Sequence, residues 1–323
     1  MTTLAENGTV ATGRHDAYER LLARCKGLEP ISTTVAYPCE KTALAGAIEA
    51  AEAKLLAPIL VGPAKKIKEI ADAAGLNISA YPIEDVAEAP KAAFRAVELI
   101  RQGQAEALMK GSLHTDELLG AVVSSATGLR TGRRLSHAFV MAVPTYHKPL
   151  IVTDAAINIA PTLDEKRDIC QNAIDLARSL GRDKPKVAIL SAVETVTSKI
   201  PSTIDAAALC KMAERGQITG GILDGPLAMD NAISLEAAKT KGITSPVAGD
   251  PDILLAPDLE SANMLAKQLT FLAHADAAGI ALGARVPIIL TSRADSVLSR
   301  MASCAVAMLI AHARRAGKVT VEA

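Results

Sequence analysis

Pro287-Ile288-Ile289-Leu290-Thr291-Ser292-Arg293-Ala294-Asp295-Ser296 is an apolar run that breaks into a hydroxyl, a guanidinium and a carboxylate. The run from Val286 to Leu290 predicts a buried strand, and Val297, Met301, Ala305, Met308 and Leu309 recur at helical spacing behind it. Asp295 is the expected N-cap of that helix. A strand ending in Ser292 and Arg293 just ahead of a helix brings unpaired amides, the positive end of a helix dipole and a planar guanidinium to one place. Phosphate suits such a place. An ordinary strand-to-helix connection with its Arg in solvent has the same wording, so the rest of the chain decides between the two.

Outward from that segment, strand-like apolar runs alternate with Ala-rich stretches, the pattern of a mainly parallel sheet flanked by helices. The fold class is α/β. Strands are expected at 31–36, 58–61, 107–109, 149–152, 187–190, 221–223, 253–256, 279–282 and 286–290, with packing helices at 41–57, 116–123 and 163–180. A length of 323 residues exceeds one typical core. The stretch 144–149, with two prolines and no helical period, is the expected boundary. The first domain would span 1–145, completed by the C-terminal helix within 292–323, and the second 146–291.

Half of the chain is hydrophobic, 35 basic residues balance 35 acidic ones, and aromatics make up 2% with no Trp. Neither a basic footprint nor a stacking platform for nucleic acid is present in that composition. No uninterrupted apolar stretch reaches the ~18 residues of a membrane helix, and the polar start 1–13 lacks the apolar core of a secretory signal. The expectation is a cytoplasmic protein without membrane or nucleic-acid partners. Cys25, Cys39, Cys170, Cys210 and Cys304 are widely spaced with no C-x-x-C pair, which predicts reduced thiols and no zinc or redox motif.

Five polar clusters fall where strands should end, the usual place for ligands in an open α/β sheet. Lys110-Gly111-Ser112-Leu113-His114-Thr115 offers a glycine for close approach and donors near a helix start, with Thr115 also readable as a simple cap. Arg130-Thr131-Gly132-Arg133-Arg134-Leu135-Ser136-His137 reads as a solvated basic loop or as a site for a polyanion. His137 is either a proton carrier near neutral pH or a structural imidazole. Asp224-Gly225-Pro226-Leu227 is a turn by default. In the fourth cluster Pro257-Asp258-Leu259 leads to Ser261, Asn263 and Lys267, where Asp258 or Ser261 caps a helix and Lys267 is a surface lysine. The opening segment is the fifth.

In this order, together with Tyr37-Pro38 and Pro58-Ile59-Leu60-Val61-Gly62, the clusters resemble the phosphate acetyltransferase and phosphate butyryltransferase family over most of the chain. The resemblance implies a two-domain fold like the isocitrate and isopropylmalate dehydrogenases, a homodimer, and reversible transfer of a short acyl group between coenzyme A and inorganic phosphate. It implies direct attack of the CoA thiolate on acyl phosphate, with no metal and no tightly bound cofactor. Ser292, Arg293 and Asp295 would be catalytic. Lys110, Gly111, Ser112, Thr115, Arg133, Arg134, His137, Asp224, Asn263 and Lys267 would bind CoA or phosphate.

Two departures from the acetyl-type pattern stand out. Ser299 occupies the position, seven residues past Ser292, where that pattern has an Asp, and Gly120 aligns with its helix Arg. The Ser-Arg-Ala-Asp-Ser wording resembles the butyryl branch. The proton acceptor for the thiol is therefore open between Asp295, His137 and lowering of the thiol pKa by nearby Arg charge. Two other readings compete: a metal- and NAD-dependent decarboxylating dehydrogenase of the same fold, and a non-catalytic CoA- or phosphate-binding regulator.

Overall fold

A computed structural model describes residues 16–290 and 296–319. Ser292, Arg293 and Asp295 lie outside the described residues. One sheet of eleven strands runs through the molecule in the order β3-β2-β1-β4-β11-β10-β5-β6-β9-β7-β8. Its first part comprises β1 (Ile31–Ala36), β2 (Leu56–Gly62), β3 (Ile83–Asp85), β4 (Ala107–Lys110) and β11 (Ile288–Ile289), all mutually parallel. Its last part, β6 (Leu150–Thr153), β7 (Lys186–Leu190), β8 (Ile222–Leu227) and β9 (Ile253–Leu255), is also parallel internally. Between them β5 (Ser136–Ala142) and β10 (Asp276–Leu282) pair antiparallel to each other and to the strands on either side. The two parallel parts consequently run in opposite directions, and their strand ends open on opposite edges.

Helices cover both faces. On one face α1 (Asp16–Cys25), α2 (Lys41–Glu52), α3 (Ala64–Ala74), α6 (Leu163–Ser179), α7 (Pro201–Glu214) and α11 (Val297–Arg315) share a single core that runs the length of the sheet, from Leu60 through Ile280 to Leu209. On the other face the core is split. α4 (Ala89–Arg101) and α5 (Thr115–Val122) pack over β4 and β11 through Val97, Leu108 and Ile288, while α8 (Met229–Ile233), α9 (Leu235–Thr240) and α10 (Leu259–Phe271) pack over β6 and β9 through Val152, Leu254 and Ala262. α11 is long and apolar enough to cross a membrane, yet 67% of that stretch is buried inside the fold, as befits a core helix.

Several expectations need correction. β5 was not anticipated: the polar run 130–134 ahead of it and the boundary assigned at 144–149 left Leu135 to Val143 unassigned, although burial on both faces is what a continuous apolar strand signifies. His137 therefore stands on a strand, not in a basic loop. Asp224-Gly225-Pro226 is no turn either; it lies inside β8, an edge strand, where a missing amide costs no ladder bond. The cap of α11 is Ser296, whose Oγ accepts the Ser299 amide at 3.1 Å, and not Asp295. α5 is capped at His114, whose amide donates to the Glu117 carboxylate at 2.9 Å, and Thr115 is its first helical residue.

Candidate active site

The register of the sheet decides which expected residues can meet. Met109 lies level with Ile289, Ile280, Ala138, Thr153 and Leu255 across successive ladders. Lys110 is one step towards one edge, and Asp154 and Ala256 are one step towards the other. Lys110 and Leu290 thus end their strands side by side, about 4.8 Å apart at the backbone. The loops after β6 and β9 leave on the opposite edge.

At the first edge the chain after β4 is stapled to the chain after β1. The Gly111 amide donates to Ala36 O and the Ser112 amide to Tyr37 O, both at 2.9 Å. Ser112 Oγ donates to Tyr37 O at 2.7 Å and accepts the Cys39 amide at 2.9 Å. Tyr37 holds φ of 55°, the left-handed region that a bulky residue occupies only under local constraint. Half-buried Lys110 ends β4 at this junction. The ends of β1 and β4 are thereby held together, with Lys110 beside Leu290 in the sheet. A cationic residue at a fixed strand end suits an anionic ligand whose position must not drift.

At the opposite edge the basic cluster is largely committed to protein partners. Arg133 is ion-paired with Asp175. Arg134 Nε donates to Asn158 Oδ1 at 2.8 Å, and its Nη1 lies 3.2 Å from Glu165 Oε1. The solvated-loop reading is thus revised for Arg133 and Arg134, which hold protein partners, while Arg130 is exposed. Arg130, Arg133 and Arg134 line a cleft of about 600 Å³ that Gly120, Ile157 and Asp168 also bound. Asp154, which the sequence reading missed, organises this edge by accepting the amides of Ala156, Ile157 and Asn158 at 3.0 to 3.2 Å. A carboxylate directly behind the apolar run Leu150-Ile151-Val152 was the signal available for it.

Asn263 donates to Ala155 O at 2.9 Å and so belongs to this second edge, with exposed Lys267 one turn further along α10. Asp258 caps α10, its Oδ1 accepting the Ser261 amide at 2.8 Å. Asp224, half-buried in β8, accepts the amide of its neighbour Gly225 at 2.9 Å and lies apart from both groups. The expected residues among the described ones do not form one cluster. Lys110 adjoins Leu290 in the sheet, and His137 Nε2 also comes close to Leu290 O, the two standing 3.2 Å and 3.1 Å from where a Cβ on Gly279 would be, whereas Arg133, Arg134 and Asn263 belong to the other edge.

His137 is 2% exposed, with its ring edge-on to Phe139 at 4.5 Å between centroids. Its Nδ1 is buried with no hydrogen-bond partner among the described residues. Burial pushes the imidazole down to about 4, against the opposing pull of the Asp154 carboxylate, so the ring is neutral at neutral pH. Because the folded value lies below the ordinary one near 6.5, the unfolded chain takes the proton first. The stabilisation is present in full above that ordinary value and is lost as pH falls towards 4. Stability against urea should fall between pH 6.5 and 5 by up to ~1.4 kcal/mol per pH unit from this group. His137→Gln should flatten that slope; identical slopes in both proteins would rule the titration out.

Comparison with known proteins fits these features into one pattern. The family described as Phosphate acetyl/butaryl transferase matches residues 88–308. A protein of Rhizobium meliloti named Phosphate acetyltransferase is 64% identical over 302 residues, covering 94% of this chain and 96% of its own. A Phosphate butyryltransferase of Clostridium beijerinckii is 42% identical over 91% of this chain and 97% of its own. The higher identity to an acetyl-named relative takes weight from the butyryl lean that the Ser-Arg-Ala-Asp-Ser wording suggested. The crystal structure of a branched-chain phosphotransacylase from Enterococcus faecalis V583 superposes with a TM-score of 0.76 at 31% identity, covering 87% of this chain and 99% of that one. The chain belongs to the phosphate acetyl/butyryl transferase family.

Proposed function

We propose that the protein transfers a short acyl group between acyl phosphate and coenzyme A, with acetyl as the preferred group. The carrying observation is the register that sets Lys110-Gly111-Ser112 beside Leu290, the residue that leads into Thr291-Ser292-Arg293. In the forward step the CoA thiolate forms a carbon–sulfur bond to the acyl carbon, the carbon–oxygen bond to phosphate breaks, and inorganic phosphate leaves with the electron pair. Lys110 and Arg293 would carry the charge that grows on the departing phosphate, and Ser292 would hold the acyl oxygen or the sulfur. Burial and a value near 4 make His137 a poor acceptor for a thiol proton at neutral pH. An ordinary carboxylate, at ~3.9, is no stronger a base, so Asp295 would at most orient the thiol, and thiolate formation would rest on lowering of the thiol pKa by the charge of Arg293.

We further infer two lobes joined across β5 and β10, an arrangement like that of the isocitrate and isopropylmalate dehydrogenases, assembled as a cytoplasmic homodimer. The split core on one sheet face supports the two-lobe reading. The activity is tested by following thiol loss as CoA is acylated by acetyl phosphate or butyryl phosphate. Acetyl phosphate should give the higher kcat/KM. If neither acyl phosphate consumes CoA thiol, the proposed activity is wrong, and a higher kcat/KM with butyryl phosphate would return the chain to the butyryl branch.

A further inference from the structure

Behind the wall of the 600 Å³ cleft, where Arg133 and Gly283 border both spaces, lies a second cavity of about 20 Å³. Its walls come from α6, the last turns of α11, the residue after β10 and the segment ahead of β5. Two guanidiniums reach it, Arg133 and Arg314, against one carboxylate, Asp175. Leu282 and Ile310 supply apolar wall. The space suits a single small occupant, since ~10–15 Å³ is enough for one water. Gly283 fixes the wall closely: its φ is 87°, and a Cβ there would stand 2.3 Å from Arg134 O and 2.9 Å from Asn172 Nδ2.

The polar groups around this cavity leave one donor and one charge unanswered. Asp175 is already engaged, one carboxylate oxygen by Arg133 and the other by Gln171 Nε2 at 3.2 Å. Asn172 Nδ2 donates to Arg134 O and Ser136 Oγ, both at 2.9 Å, and Ser179 Oγ donates to Asp175 O at 2.8 Å. Arg314 Nη1 donates to Arg285 O at 2.8 Å, but its Nε is buried with no hydrogen-bond partner among the described residues. A buried N–H in that condition costs stability until something accepts from it. Burial pushes the Arg314 guanidinium down to about 10, with Asp175 pulling it up and Arg133 pushing it further down. It therefore keeps its charge at neutral pH. Its neighbour Arg315 offers no relief, being paired with Glu106.

We propose that this cavity binds one monovalent inorganic anion of halide size, with chloride as the physiological occupant, seated between Arg314 Nε and the Arg133 guanidinium. A halide accepts the Arg314 N–H through a charge-assisted bond and balances the second guanidinium in the same stroke. A water would accept the N–H and leave the charge as it is. Tetrahedral oxyanions such as phosphate and sulfate are too large for the space, so the site is distinct in chemistry from anything that handles acyl phosphate. The ion would tie the end of α11 to α6, two helices whose strands lie in different parts of the sheet, and would back the cleft wall at Arg133. Arg314 stands outside the 88–308 match, and the inference does not depend on acyl transfer.

Two measurements on the full chain test this. Crystals soaked in sodium bromide should show an anomalous-scattering peak between Arg133 and Arg314. Thermal melts at fixed ionic strength should rise by roughly 2–3 °C when sodium gluconate is replaced by sodium chloride at about ten times the dissociation constant. Arg314→Leu should remove both the peak and the chloride-dependent rise, and Arg314→Lys, which keeps the charge without the Nε donor, should reduce the rise without abolishing it. Absence of a bromide peak at this position in the unsubstituted protein overturns the proposal, whether or not the variants fold, and leaves the cavity to water. A peak with equal melts in chloride and gluconate is binding at soak concentration only and overturns it too. So does a chloride-dependent rise of the same size in Arg314→Leu, which would place the effect elsewhere on the molecule.

Discussion

Arg293→Ala is expected to lower kcat/KM for acyl transfer by roughly 10²–10³-fold with thermal unfolding unchanged. The charge that must be stabilised appears on the departing phosphate only as the carbon–oxygen bond breaks. A guanidinium placed there acts more on the transition state than on bound acyl phosphate, so the loss should fall on kcat more than on KM. Arg293→Lys should recover part of the loss, since the charge returns without the bidentate fork. Arg134→Ala supplies the contrast. Its guanidinium holds Asn158 and Glu165, so its removal should show first in the melting temperature. If Arg293→Ala lowers stability as much as activity, or leaves turnover intact, the assignment of Arg293 to the phosphate fails.

The parallel strands were legible because burial on both faces writes them as unbroken apolar runs, as at Pro58 to Val61 and Val187 to Leu190. The antiparallel pair at the centre was not equally visible. β10 showed its apolar half, whereas β5 was hidden between an arginine-rich stretch and a proline-rich one, although Leu135 to Val143 is as apolar as its neighbours. Missing β5 also misplaced His137, since a residue read as lying in a loop cannot be seen to face the sheet interior. For the candidate site, the residues following β4 and β11 could be proposed from sequence because strand ends are where side chains and amides point at ligands. Their adjacency was not readable, because sequence does not reveal that residue 289 pairs with residue 109. Asp154 was missed for a related reason: three of its partners are the backbone amides of Ala156, Ile157 and Asn158, which carry no side-chain signature, and the fourth is the Asn158 side chain.

Gly111→Ala should be among the most damaging single-methyl changes in the chain. A Cβ at that position would stand 2.3 Å from Ala36 O and 2.5 Å from Tyr37 O, both backbone atoms. No side chain can swing aside to make room, so β4 would have to separate from β1 where Ala36 pairs with Lys110. A cost of about 3–5 kcal/mol follows from overpacking combined with loss of the amide bonds at Gly111 and Ser112. The same displacement moves Lys110 relative to Leu290. Whatever protein folds should therefore also lose acyl transfer through a raised KM for acyl phosphate. Gly120→Ala is the matched comparison: nothing lies within 4 Å of its Cβ, and it sits inside α5, where alanine is favoured over glycine by up to ~1 kcal/mol. Thermal melts should thus move in opposite directions for the two variants. A Gly111→Ala protein that melts with the unsubstituted one would mean that the β1–β4 junction yields easily, and that Lys110 is not held in place by it.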